Sequence, residues 1–306
     1  NNVALPPPDD PAIARFARAE QTADAAGGYV QAEVWWRERL KLLSGVRYSH
    51  FDYTFEDTSG FRFEESPDSL DPRFGVLYKL TPLTSLYASY STSFEQSFSF
   101  DPDNTDPLEA EQYEFGVKQE FFEGLALATL SFFQITQENL PTADPNDPTL
   151  TRQIGEAETR GIEVELRGQV RPDLSIIASY AYLDNEITED NTGIEGNRLP
   201  NVPKNEASLW LSYDAYVHGS KILTLGGGIF YEGARFTGAQ NSVRMPGYAT
   251  VDLNARYGFD MQNSRVTVQT GVKNLFDREY FAGGFGEGIA FRGQPRTVFA
   301  NLSLQF

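Results

Sequence analysis

Side chains alternate in character along Val298–Phe306. Val298, Ala300, Leu302, Leu304 and Phe306 fall on one face of an extended chain, and Phe299, Asn301, Ser303 and Gln305 on the other. Successive side chains of a strand point to opposite sides, so such a segment is apolar on one side and mostly polar on the other. One segment decides little, but this chain repeats the pattern about a dozen times, with short turns and long polar loops in alternation. That combination predicts an all-β fold, a transmembrane antiparallel β-barrel.

The alternation predicts thirteen strands. They fall at about Tyr29–Arg37, Leu40–Tyr53, Arg73–Leu80, Ser85–Ser93, Gln112–Glu120, Leu125–Thr136, the stretch around Ile162–Arg167, Leu174–Asn185, Glu206–Asp214, Ile222–Tyr231, Tyr248–Tyr257, Arg265–Lys273 and the terminal segment. The sixth alternates too poorly for its faces to be assigned, and Gly226–Gly228 weaken the tenth. Elsewhere the apolar face, such as Ile162, Val164 and Leu166, is set towards lipid. The charged face, such as Glu163, Glu165 and Arg167, with Asp252 and Arg256 later on, is set towards the lumen. A soluble sandwich would alternate similarly, so the connections decide. Short turns at Leu80–Thr84, Phe121–Gly124, Val170–Asp173 and Asp260–Ser264 alternate with long loops at Glu56–Pro72, Phe94–Leu108, Asn139–Thr159, Glu186–Pro203, Gly233–Pro246 and Phe276–Gly293. Short turns on one rim and long loops on the other match an outer-membrane barrel, with the long loops outside the cell and the C-terminus periplasmic. Tyr48, Tyr53, Tyr90, Tyr180, Tyr182 and Tyr231 are placed in interface girdles. Bacterial single-chain barrels have even strand numbers, so an odd count predicts at least one further strand before residue 1.

Composition narrows the function. The net charge of -18 argues against nucleic acid as a partner, since binding there needs a basic surface to displace counterions. The chain has no Cys, hence no disulfide or thiolate metal site. Its two His, His50 and His218, lie in unrelated contexts, and no nucleophile elbow or zinc motif is present, so no enzyme is expected. The mean hydropathy of -0.40 suits a barrel, in which only alternate wall residues meet lipid. No stretch is apolar for the ~18 residues of a transmembrane helix. The acidic runs Asp101–Asp106, Asp144–Asp147 and Glu186–Asp190 are set in solvated loops, and DPDNTDP lacks the glycine and distal Glu of a calcium loop. The Pro-rich opening NNVALPPPDDP carries no export signal, so the true N-terminus is expected to lie further upstream.

Several blocks together resemble the TonB-dependent siderophore receptors, and the ferrichrome-type receptors most of all. They are QTADAAGGYVQAEVWW, RFGVLYKLTPLTSLYASYSTSFEQS, LEAEQYEFGVKQEF, EAETRGIEVELRGQVRPDLSIIASYAYLDNEI, RLPNVPKNEASLWLSY and VKNLFDREYFAGGFGEGIAFRG. They run in order over nearly the whole chain. The resemblance implies a barrel of about 22 strands closed by a plug domain. Residues 1–306 are then the C-terminal part of its β-barrel domain, with the plug and the first strands outside them. It also implies import of a ferric siderophore, of hydroxamate type, driven by the TonB–ExbB–ExbD complex, with outer-membrane lipid around the wall and no cofactor. A receptor of the same family for cobalamin or a carbohydrate, and a passive porin-like channel, are the alternatives.

The resemblance also places aromatics of the outer loops against the cargo. Its last-loop aromatic matches Phe285, in GGFGEG, and the two Cys that can staple that loop in the family are Gly284 and Ala290 here. An exposed Phe among Gly fits ligand capture, and packing against a neighbouring loop is the other reading. Phe94, Phe98 and Phe100 form a second cluster, either a hydrophobic mouth or packing within the loop. Phe281 and Phe291 are further candidates, at the rim.

Overall fold

A computed structural model describes residues 19–57, 60, 62–95, 107–143, 151–217, 220–261 and 264–306. Its strands are β1 (Ala19–Trp36), β2 (Leu40–Asp57), β3 (Arg62–Glu65), β4 (Asp68–Lys79), β5 (Thr84–Glu95), β6 (Leu108–Phe121), β7 (Ala126–Ala143), β8 (Thr151–Arg171) and β9 (Leu174–Glu189). They continue as β10 (Asn205–Val217), β11 (Ser220–Glu232), β12 (Arg235–Phe236), β13 (Arg244–Met245), β14 (Tyr248–Met261), β15 (Ser264–Lys273), β16 (Phe281–Phe285), β17 (Ile289–Arg292) and β18 (Thr297–Gln305). One sheet runs β1-β2-β4-β5-β6-β7-β8-β9-β10-β11-β14-β15-β18, with β3 paired to β2. Each neighbouring pair is antiparallel and, apart from the small loop strands, consecutive in the chain. The thirteen wall strands of the sequence reading are therefore all present, in order. Among the described residues β1 and β18 form the two ends of the sheet and do not pair with each other.

Register aligns the alternation into rows. Leu166, Ala178, Leu209, Ile229 and Val251 face one another across five successive strands. One residue along, Glu165, Ser179, Ser208, Phe230 and Thr250 do the same, and the Ser179 and Ser208 hydroxyls share a hydrogen bond of 2.7 Å. A slip of one residue would exchange these rows, putting Glu165 in lipid, so lipid fixes the pairing. Large apolar side chains on the first face stay exposed over the whole sheet: Phe115 59 %, Ile229 50 %, Leu253 44 %. A belt of that extent is a lipid surface rather than a water surface. Of the seven buried apolar residues among those described, Tyr53, Phe63, Ala157, Ile187 and Met245 lie at the long-loop rim, and Ala126 and Val266 lie near the short turns.

The structure settles the sixth strand. Phe132 stacks on Phe115 with centroids 5.0 Å apart and so faces lipid, while Phe133 covers Gly161 on the other face. Two adjacent Phe conceal the alternation in the sequence. Gly226 and Gly228 do not interrupt β11. An added Cβ at either would lie 2.6 or 2.5 Å from the Trp210 ring, so the missing side chains seat that indole on the lumen face. One girdle assignment is corrected. Phe74, Tyr90 and Tyr113 lie in register and in ring contact across β4–β6, as an interface belt should. Tyr53, by contrast, is 5 % exposed against Phe63, because it stands an odd number of residues from Tyr48 and points to the opposite face.

The strands also outrun their sequence-derived ends. β7 and β8 pair as far as Ala143 and Thr151, taking up most of the loop set at Asn139–Thr159. Beyond the hydrocarbon both faces are wet, so alternation stops while hydrogen bonding continues. Within the loops set at Glu56–Pro72, Gly233–Pro246 and Phe276–Gly293, short strands β3, β12 with β13, and β16 with β17 appear.

Candidate functional site

The last long loop is a hairpin. β16 and β17 pair through Gly283↔Phe291, Gly284↔Ala290 and Phe285↔Ile289, turning at Gly286–Gly288. Paired residues share a face, and alternate residues share it too, so Phe285, Ile289 and Phe291 form one surface. They are 71, 52 and 53 % exposed. Gly284 and Ala290, the positions where the family can carry a staple, are directly opposite each other on the other face. At Gly284 that face is packed, while Ala290 is exposed. A Cβ added to Gly284 would collide with Thr237, which is 1 % exposed.

Hydrogen bonds from two other loops hold the hairpin. Asn201 Nδ2 donates to the Gly284 carbonyl at 3.0 Å, and the Gly284 amide donates back to Asn201 Oδ1 at 2.8 Å. The Asn201 amide in turn donates to the Phe236 carbonyl at 2.8 Å. Asn201 sits at φ 61°, in the left-handed region that Asn tolerates better than most residues. Asn241 ties the same two loops through its Nδ2 to the Arg198 carbonyl (2.8 Å) and its Oδ1 to the Arg198 amide (2.9 Å).

Two charged groups complete the brace. Arg235, 1 % exposed, donates from Nη2 to the Phe281 carbonyl at 2.9 Å, pairs through Nη1 with Glu232 at 2.9 Å, and lies over the Tyr248 ring. Tyr248 stacks on Tyr280 at 4.1 Å. The Glu287 carboxylate accepts from the Gln240 amide at 2.8 Å, from the Ser242 amide at 3.3 Å and from the Ser242 hydroxyl. The Ser242 hydroxyl bond, with those amides, holds the Glu287 carboxyl below the ordinary carboxylate range. At the hairpin base, buried Asn274 donates to the carbonyls of Arg278 and Gln294 and accepts from the Arg278 amide, at 2.9, 3.0 and 2.8 Å.

The sequence candidates separate accordingly. Phe281, Phe285 and Phe291 share this hairpin, with Phe281 36 % exposed and its carbonyl engaged by Arg235. Phe94 is elsewhere, on β5, half-buried with its ring edge-on to Phe51 at 5.2 Å. Phe98, Phe100, the acidic run Asp101–Asp106 and His218 lie outside the described residues. Ile289 was not singled out from the sequence. Its position across the turn from Phe285 is the signal that finds it. His50 has both ring nitrogens facing carboxylates, Nδ1 to Asp68 at 2.7 Å and Nε2 to Asp52 at 3.3 Å. The inward charges pair locally, as Arg167 with Glu165 at 3.4 Å, or cap a neighbour, as Asp252 does the Asn274 amide at 2.8 Å. The site is thus a rigid apolar face on a polar rim. It offers contact and shape.

Comparison with known proteins bears on this geometry. Residues 1–275 match the family model for the TonB dependent receptor-like β-barrel. The metal-pseudopaline receptor CntO of Pseudomonas aeruginosa is 33 % identical over 309 residues, covering 97 % of this chain and 43 % of the relative. The ferrichrome outer membrane transporter/phage receptor of Escherichia coli is 33 % identical over 303 residues, covering 97 % and 40 %. The crystal structure of the siderophore receptor PiuA from Acinetobacter baumannii superposes with a TM-score of 0.80 at 25 % identity, covering 94 % of this chain and 44 % of that one. The chain therefore spans less than half the length of these relatives, which are receptors and transporters rather than enzymes. The alternating wall, the asymmetric rims and these matches agree: the chain belongs to the TonB-dependent receptor β-barrel family of the bacterial outer membrane.

Proposed function

We propose that this chain forms outer rim and wall of a receptor that imports a ferric siderophore, of hydroxamate type, with energy supplied through the TonB–ExbB–ExbD complex. The observation that carries the reading is the exposed face of Phe285, Ile289 and Phe291, held in place by two neighbouring loops. Exposed apolar surface on a braced loop fits capture of a chelate by its apolar periphery, with few polar groups setting orientation. Relatives named as ferrichrome transporter and ferrioxamine B receptor support the hydroxamate class. The metal-pseudopaline receptor among the most similar relatives favours a second reading, a metal chelate of another class. Phe94 joins the same mouth in this proposal as a secondary contact. The proposal also sets residues 1–306 within a larger barrel domain, with a plug and further wall strands outside them. Among the described residues the outer edges of β1 and β18 have no partner strand, which supports it, since lipid tolerates no open sheet edge.

Iron-limited growth of a deletion strain on a panel of ferric siderophores tests the reading. Loss of uptake of one hydroxamate chelate is expected, with the same loss on dissipating the inner-membrane proton gradient. Uptake of every chelate surviving both treatments would end the siderophore assignment.

A further inference from the structure

Four inward cations are exceptions to the local pairing of lumen charges. Arg47 of β2, Arg73 and Lys79 of β4 and Lys118 of β6 stand on the lumen side, opposite in parity to the lipid-facing Val46, Phe74, Tyr78 and Phe115. None of the four makes an ion pair among the described residues. Further along the sheet the same face turns acidic, with Glu163 and Glu165 on β8 and Glu206 on β10.

These cations lie at two levels. Towards the long-loop rim, Arg47, Arg73, Tyr29, Asp71 and Ser91 line a cavity of about 320 Å³. Glycines seat both arginines against the wall: an added Cβ would lie 3.1 Å from Arg47 Nη2 at Gly27 and 3.1 Å from Arg73 Nε at Gly45. Towards the short turns, Lys79 and Lys118 both stand opposite Ser85 of β5. Lys79 Nζ lies over the Trp35 ring at 5.0 Å and Lys118 Nζ over the Tyr87 ring at 4.8 Å. From Arg73 to Lys79 is about 20 Å along β4, at roughly 3.3 Å per residue. Between the levels this face carries Leu43, Gly45, Gly75, Leu77 and Ser89, none of them charged.

The neighbouring carboxylates are engaged elsewhere. Glu33 pairs with Lys41 at 2.7 Å, Asp71 accepts from the Ser69 hydroxyl at 2.8 Å, and Glu114 accepts from the Tyr87 hydroxyl. Arg47 donates from Nε to the Ser49 hydroxyl at 2.9 Å, and Arg73 donates from Nη2 to Gln31 Oε1. A guanidinium carries five N–H donors, so each arginine keeps further donors for a ligand.

We propose that the lumen face of β2, β4, β5 and β6 is the inward path of the cargo, and that the cargo carries free carboxylates. The inference rests on the reading of this chain as part of a chelate importer and adds the charge of what it carries. Arginine forks match carboxylate oxygens, and a cleft with low-dielectric walls concentrates the opposite charge. Two levels of cations suit transit, because each attracts the anion and the next level offers it a way onward. The acidic sector on β8 and β10 repels the same anion and confines it to this side of the lumen.

The test uses the full-length receptor in energised, iron-limited cells. Ser91→Cys stands opposite Arg73, Ser85→Cys opposite Lys79 and Lys118, and Ser179→Cys, the control, opposite Glu165. Each is labelled with anionic and cationic methanethiosulfonates of similar size, with the parent receptor as blank. The anionic reagent should react about tenfold faster than the cationic one at Ser91→Cys and Ser85→Cys, with the order reversed at Ser179→Cys. Arg47→Gln/Arg73→Gln should remove the preference at Ser91→Cys, and Lys79→Gln/Lys118→Gln the preference at Ser85→Cys. A preference that survives neutralisation, equal ratios at Ser91→Cys and Ser179→Cys, or no reaction with either reagent would overturn the path. For a chelate that the receptor imports, Arg47→Gln/Arg73→Gln should slow uptake about tenfold while half-saturation stays as in the wild type. Import of neutral or cationic chelates alone would overturn the cargo charge. Failure of the importer reading shows separately, as no chelate lost in the deletion strain, and the labelling ratios then decide the lining on their own. Heat-modifiable gel mobility reports folding. If the lysine pair fails that check, the arginine pair, both at exposed positions, decides by the same ratio.

Discussion

Removing the side chain of Asn201 should loosen a hairpin 83 residues away in sequence. The structure gives the scale. Asn201→Gly deletes two hydrogen bonds to Gly284, of 3.0 and 2.8 Å, while leaving φ 61° accessible. Each bond contributes about 0.5–1 kcal/mol at an exposed position, so the opening free energy of the hairpin should fall by about 1–2 kcal/mol. Asn201→Ala loses the same bonds and adds about 1 kcal/mol of left-handed backbone strain. Hydrogen exchange at the β16 and β17 amides reads this directly, because exchange through local opening follows the opening constant. Exchange should accelerate roughly five- to thirtyfold in Asn201→Gly and about fivefold more in Asn201→Ala. Exchange in β8–β11 should stay as in the wild type. If Asn201→Gly exchanged like the wild type at β16 and β17, the brace would carry no energy. If Ala were no worse than Gly, the strain argument would fail.

Other expectations follow from the same geometry. Phe285→Ala should weaken chelate binding about 10- to 100-fold, as for a central aromatic contact, with the heat-modifiable barrel band retained; unchanged affinity in a binding titration would remove Phe285 from the site. The Glu287 latch should depend on pH. Its folded pKa lies below the ordinary 4.5, so its contribution is complete above that value and lost as pH falls through the lower folded value. Exchange of the 238–242 segment should therefore rise on acidification below about 4.5 in the wild type but not in Glu287→Gln, and identical profiles would exclude the latch. Leu211→Arg should impair folding into bilayers by about 2–4 kcal/mol while its lumen-facing neighbour Ser212→Arg folds nearly as the wild type; equal effects in vesicle folding titrations would invert the wall assignment.

How much of this could be read from the chain depended on what enforces each part. Lipid punishes a misplaced polar side chain, so the wall strands other than β7 left their alternation in the sequence, and β7 was placed though its faces were not. Past the membrane nothing enforces that pattern. The ends of β7 and β8 and the short loop strands rest on backbone hydrogen bonds, which any polar residue can accompany. The hairpin brace was equally silent. Its main contacts, Asn201 to Gly284 and Arg235 to Phe281, join a side chain to a distant backbone carbonyl, and neither end has a distinctive local neighbourhood. Phe285 stood out because the resemblance matches the family's last-loop aromatic to it and because glycines surround it. Ile289, which completes the same surface, needed the hairpin register to be seen.

The shared bonding of three rim connections has a bearing on how such a receptor changes its diet. Asn201, Asn241, Arg235 and Glu287 each reach out of their own segment into another. A transplanted last loop would arrive without its anchors and lose its shape. New cargo preference should accordingly be inherited as a block spanning residues 197 to 292, or arise from swaps such as those at Phe285 and Ile289 that leave every anchor untouched.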